Sequence, residues 1–79
     1  MHSVRMYSRR TCGLCDEART VLEEERARTP FSFDEVLIDG DDGLELEYGL
    51  RVPVVFVDGE ERFEYEVDPA RFATFVRVS

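Results

Sequence analysis

The chain has 79 residues, 43% of them hydrophobic, and a net charge of −8. That is the size of one small domain with a thin core, and the composition is globular, not disordered. All ten basic residues are arginine; the acidic balance speaks against nucleic acid or an anionic membrane as partner, and no apolar run approaches a membrane span.

Ser3 to Ser8 reads as a first strand, with Val4, Met6 and Ser8 on one side and Arg5 and Tyr7 on the other. Arg9-Arg10-Thr11 follows as a loop. Thr11 is a residue type that caps helices, and Gly13 gives the backbone freedom at the turn. A helix is expected from about Gly13 to Arg28. Leu14, Ala18, Val21 and Leu22 recur at i, i+4, i+7 and i+8, the spacing of one buried face. Asp16 and Glu17 suit its first turn, Arg26 and Arg28 its last, and Pro30 stops it.

Phe31 to Ile38 reads as a second strand, and its end, Val36-Leu37-Ile38, is apolar on both faces, as in a strand covered on both sides. After the turn cluster Asp39 to Gly43, a short helix is expected over Leu44 to Tyr48, with Gly49 at its C-cap. Val54 to Val57 is the most apolar run and reads as a central strand. Asp58-Gly59 is a hairpin turn signal. In the returning stretch, Glu60 to Val67, Phe63, Tyr65 and Val67 alternate with Arg62, Glu64 and Glu66, the pattern of an edge strand with one wet face. Asp68 caps a last helix with Pro69 at its first position. Phe72, Phe75 and Val76 form that helix's buried stripe, and Tyr7 and Tyr48 are expected in the core. The order βαβ, short helix, β-hairpin, helix makes one α/β domain over residues 1–79. The segment Met1 to Met6 has no apolar signal-peptide region, so a reducing cytoplasm is the expected location.

Cys12 and Cys15 are the only cysteines. They stand three apart where the first strand gives way to the first helix, so their sulfurs can meet across one helical turn and close or reopen as a disulfide. A Cys-x-x-Cys pair in that setting reads as a redox motif. A helix N-terminus offers unpaired N–H groups and partial positive charge, both of which stabilise a thiolate. Cys12, on the outer edge, is then the nucleophile and Cys15 the resolving thiol. Arg9 or Arg10 would lower the Cys12 pKa and attract an acidic substrate group; a solvated loop is the plain alternative. Asp16 and Glu17 oppose thiolate formation. Two thiolates are also half of a tetrahedral zinc site. His2, the only histidine, lies at a terminus, so zinc or a [2Fe–2S] cluster would need a second chain or an external thiol, and no metal site is expected within one chain.

The order of elements, together with Tyr7-Ser8-Arg9-Arg10-Thr11-Cys12-Gly13-Leu14-Cys15, Tyr48-Gly49-Leu50-Arg51-Val52-Pro53-Val54 and the Asp58-Gly59 hairpin, resembles the thioredoxin-fold superfamily, and within it a glutaredoxin-like protein. The resemblance covers nearly the whole chain. It implies a thioredoxin-like three-layer α/β/α fold with a four-stranded mixed sheet. It also implies a cis Val52–Pro53 bond close to Cys12, leaving the Val52 backbone open to pair with a bound peptide or tripeptide thiol. Arg9 matches the family's basic residue three before the first cysteine. Arg9, Arg10, Thr11, Val52, Pro53 and Asp68 are the expected substrate-binding residues.

Two departures bear on the partner. The insert between the cysteines is Gly13-Leu14 where most of the family has a proline. Before the last helix, Glu64-Tyr65-Glu66-Val67-Asp68 stands where glutathione-binding members usually carry paired glycines, and a glutathione carboxylate would meet negative charge there. The expected activity is thiol–disulfide exchange on protein disulfides or mixed disulfides of low-molecular-weight thiols, in cell redox homeostasis. No cofactor is held permanently; glutathione, another low-molecular-weight thiol or a thiol reductase resets the pair. The chain is expected to act as a monomer. The other readings are the shared metal or cluster module and a redox-inactive adaptor that binds an extended peptide beside Pro53.

Overall fold

A computed structural model of the chain describes residues 1–77; residues 78 and 79, the end of the expected domain, lie outside the described residues. The elements run β1 (Ser3–Ser8), α1 (Gly13–Arg28), β2 (Ser32–Leu37), α2 (Asp42–Tyr48), β3 (Val54–Val57), β4 (Glu60–Glu64) and α3 (Pro69–Val76). The sheet order is β2-β1-β3-β4. β1 and β2 are parallel, as a βαβ crossover requires, and β3 is antiparallel to both β1 and β4. The run Val54-Val55-Phe56-Val57, β-branched and aromatic, lies inside this mixed sheet, where such side chains pack well.

α1 and α3 share one face of the sheet. Val4 and Met6 of β1, Val55 and Val57 of β3 and Phe63 of β4 meet Ala18 and Leu22 of α1 and Phe72 and Val76 of α3 in one buried cluster. α2 lies over the opposite face, where Tyr48 stacks on Tyr7 with centroids 4.3 Å apart and meets Phe56 edge-on. Asp41 and Asp68 cap α2 and α3 through their carboxylates, and Asp58-Gly59 takes two positive φ values (53° and 84°), as a tight hairpin needs.

Several local expectations are corrected. The buried stripe of α1 is Cys15, Ala18, Leu22 and Glu25, not the one beginning at Leu14; Leu14 is 45% exposed and Val21 only partly buried. The stripe is rotated because Glu25, a polar residue in sequence, goes inside with Arg77 as its partner. β2 is an edge strand, so Leu37 lies open and only Ile38 of its apolar end is buried. β4 ends at Glu64 because Tyr65 turns to φ 69°, which puts its ring outside while Val67 still reaches the core. Arg62 is an extra residue against β3, breaking the register between Val55 and Phe56. On α3, Ala73 joins Phe72 and Val76 in the buried stripe, with Phe75 half-buried.

Candidate active site

The chain leaves β1 at Ser8 and enters α1 at Gly13. The turn is made at Thr11, whose φ of 55° is uncommon for a β-branched residue. Cys12 then returns to an extended conformation and is the N-cap: its Sγ accepts the Cys15 N–H at 3.1 Å. A sulfur thus fills the capping position expected of Thr11, and the left-handed backbone falls on Thr11 instead of Gly13.

Cys12 and Cys15 are joined as a disulfide, with Cα atoms 5.2 Å apart, inside the usual span. Their surroundings differ. Cys12 is half-exposed, whereas Cys15 is fully buried with Ile38 and Val52, against Tyr7, Leu44 and Tyr48. The Val52–Pro53 bond is cis, as the resemblance implied. Val52 packs into the same cluster as both cysteines, and its N–H and C=O make no backbone hydrogen bond among the described residues. The Tyr65 N–H donates to the carbonyls of Arg51 and Pro53 at 3.2 and 3.0 Å, tying the segment after β4 to the cis-proline loop.

The arginines divide by what they hold. Arg9 Nη2 donates to the Gly49 carbonyl at 2.8 Å, at the C-cap of α2, and its Nε is buried without a partner among the described residues. Gly49 has helical dihedrals (φ −53°, ψ −36°), so it is not there for left-handed freedom. It is there for space: a Cβ would collide with the Glu45 carbonyl and approach Arg9 Nη2 to 3.1 Å. Arg10 is exposed, and its backbone N–H, not its guanidinium, donates to Asp39 Oδ2 at 2.9 Å. Arg51, just before Val52, bonds Glu61 at 2.7 Å and Glu64 at 3.1 Å and lies over the Tyr48 ring at 5.5 Å. Asp68 accepts the Ala70 N–H at 3.0 Å, so its carboxylate is engaged as the α3 cap. His2 Nδ1 lies 2.6 Å from Asp58 Oδ2 and is held at the hairpin, not frayed.

One network was not visible in the sequence. Arg19, one turn beyond Cys15, binds both Glu35 oxygens and Asp16; the buried Ser8 hydroxyl donates to the same Glu35 carboxylate at 2.5 Å. Arg19 holds the Glu35 carboxyl below its ordinary pKa, and Glu35 raises that of Arg19. The Asp16 charge is therefore shared with Arg19 and opposes a Cys12 thiolate less than a bare carboxylate would. Only the parallel pairing of β1 and β2 brings these residues together, and no local signal announces it. Among the described residues no three His, Cys, Asp or Glu side chains gather as a metal-binding set.

Comparison with known proteins places these features. The family described as Glutaredoxin-like domain (DUF836) matches residues 3–77. An uncharacterized protein of Mycobacterium tuberculosis is 33% identical over 73 residues, covering 86% of this chain and 75% of that protein. A structural-genomics target protein from X. campestris superposes with a TM-score of 0.79 at 36% identity, covering 94% of this chain and 95% of its own. A mutant thioredoxin from Halobacterium salinarum superposes with a TM-score of 0.66 at 25% identity, over 96% of this chain and 72% of that one. The fold is thioredoxin-like.

Proposed function

The chain belongs to the glutaredoxin-like domain family, and from that premise we propose that it is a thiol–disulfide oxidoreductase working through Cys12 and Cys15. The observation that carries the reading is the asymmetry of the pair. Cys12 is a half-buried residue at the α1 N-terminus whose sulfur accepts a backbone N–H, whereas Cys15 is fully buried one turn in. An N–H aimed at Sγ and the positive end of a helix both favour the thiolate.

The cycle follows. The Cys12 thiolate attacks one sulfur of a substrate disulfide; that S–S bond breaks, a mixed disulfide forms and the first substrate thiolate leaves and takes a proton. The Cys15 thiolate then attacks Cys12 Sγ, releasing the second substrate thiol and leaving the Cys12–Cys15 disulfide. Two electrons have passed to the substrate. A low-molecular-weight thiol, glutathione among them, or a thiol reductase returns them. The free N–H and C=O of Val52, packed beside the cysteines, supply pairing groups for an extended substrate backbone. Arg10 is the exposed cation of the loop; the guanidinium of Arg9 is engaged at Gly49.

The test is the mass of the protein equilibrated against a graded dithiol redox couple. A reversible loss of two hydrogens that disappears in Cys12→Ser and in Cys15→Ser is expected, and Cys15→Ser should trap a mixed disulfide with a peptide disulfide. A pair that stays reduced, with no trapped species, would overturn the reading.

A further inference from the structure

A groove of about 200 Å³ opens beside the dithiol, lined by Leu14, Glu17, Ala18 and Val21 of α1 and by Glu66 and Val67 after β4. Both walls are tied to the site. Leu14 immediately precedes Cys15, and the segment carrying Glu66 hangs from Tyr65, whose N–H is bonded to the Pro53 carbonyl. The floor is apolar and the rim is acidic. Glu17 and Glu66 are exposed, and neither makes an ion pair among the described residues.

Two of the cations on neighbouring elements are already paired, while Arg71, which lines an adjoining cavity with Glu66, makes no ion pair among the described residues. Arg19 is held by Asp16 and Glu35, and Arg51 by Glu61 and Glu64. Arg71 stacks over Phe63 at 5.2 Å, beyond Asp68. Glu17 stands five residues past Cys12, about 7.5 Å along the helix axis, and Glu66 lies on the opposite wall of the groove. Charge that flanks a substrate disulfide engaged at Cys12 and lies along this groove meets both carboxylates, in an attraction that salt screens over roughly 8 Å.

We propose that Glu17 and Glu66 select disulfides flanked by positive charge, with the aliphatic stem of a substrate Lys or Arg lying on Leu14, Val21 and Val67 and its head at the carboxylates. This rests on the dithiol reading above and adds its substrate class. The chemistry has two sources, a basic peptide segment or a small cationic disulfide, and both end in the same exchange: one disulfide is reduced to two thiols as the Cys12–Cys15 pair is oxidised.

The experiment is single-turnover reduction by the prereduced protein, followed by substrate thiol release. The substrates are two peptides with the same disulfide, flanked by Arg in one and Glu in the other, and two small disulfides, cystamine (dicationic) and its neutral hydroxyethyl analogue. The Arg-flanked peptide should react roughly tenfold faster than the Glu-flanked one, with the ratio shrinking at high salt. Glu17→Gln with Glu66→Gln should bring that ratio to within about twofold, while Glu23→Gln with Glu24→Gln, the same charge removed further along α1, should keep it. Faster reaction of cystamine than of its neutral analogue assigns the groove to cationic disulfides of any size; equal rates for those two with the peptide preference intact assign it to peptides. Equal rates for the two peptides, or a preference that survives loss of Glu17 and Glu66, overturn the selection and leave the redox reading standing. No reduction of any substrate would instead overturn the redox reading on which it rests.

Discussion

Arg9 Nη2 and the Gly49 carbonyl, forty residues apart, are joined by a 2.8 Å hydrogen bond that ties the cysteine loop to the end of α2. The guanidinium is half-buried and its Nε lies shut in, so this arginine works as a strut. Arg9→Ala is expected to lower stability by about 1–2 kcal/mol in urea unfolding, from the lost hydrogen bond and an orphaned carbonyl. Arg10→Ala, at an exposed position, should stay within about 0.5 kcal/mol. Gly49→Ala should cost at least as much as Arg9→Ala, since its Cβ has no room. Equal stability of the two arginine variants would show that the strut carries nothing.

Thr11 and Cys12 divide the work of entering α1: the first bends the chain at φ 55° and the second caps the helix with its sulfur. A left-handed β-branched residue costs roughly 1 kcal/mol or more. Thr11→Gly should therefore leave stability unchanged or raise it by up to about 1 kcal/mol, despite the flexibility glycine adds to the unfolded chain. A loss above about 1 kcal/mol in the stability measured by urea unfolding would mean that the Thr11 side chain makes contacts that outweigh its backbone.

Most of the architecture was legible because it is written in local patterns. Alternation in Ser3 to Ser8, the Asp58-Gly59 turn and Asp68-Pro69 each fix an element by neighbours a few residues away, and all three stand as expected. The failures share one cause, which is non-local partnership. Glu25 goes inside because Arg77 meets it, Leu14 stays outside because the stripe rotates with Glu25, and Leu37 is bare because nothing lies beyond β2. At the site, the cysteines pack with Val52, and the Val52–Pro53 bond is cis, as the motif implied. The Arg9 guanidinium is held by a carbonyl forty positions away, a contact that local spacing does not announce.

Arg51 is the staple of the cis-proline loop. Its guanidinium joins Glu61 and Glu64 of β4 and covers Tyr48, while its carbonyl accepts the Tyr65 N–H. Arg51→Met keeps much of the stem and removes the charge. It should cost about 1 kcal/mol, because the carboxylates are largely solvated and the exposed ion pairs are individually weak. Its larger effect should be local: amide exchange at Tyr65 is expected to speed up at least as much as global unfolding allows. Unchanged protection at Tyr65 would count against the staple.

Glu25 is the one buried carboxylate among the described residues, held by Arg77 at 2.7 and 2.9 Å and by the Thr29 hydroxyl at 3.0 Å. Arg77, hydrogen-bonded to it, lowers its pKa from the ordinary 4.5, against the effect of burial. The sign follows. With the folded pKa depressed, the unfolded chain binds the proton more readily, so stability rises with pH across the window below about 4.5 and is lost as pH falls through the lower folded value. Glu25→Gln keeps the shape and removes the charge, leaving Arg77 without its counterion. At pH 7 the variant should be less stable by about 1–3 kcal/mol, the usual cost of breaking a buried charged hydrogen bond. At about pH 3 the gap should narrow, because below about 4.5 the unfolded chain's Glu25 takes up a proton that the folded carboxylate resists, so its contribution shrinks. Urea unfolding of both proteins at the two pH values measures the difference directly. A gap that is the same at both would mean that Glu25 stabilises through packing alone and that the Arg77 pair adds nothing.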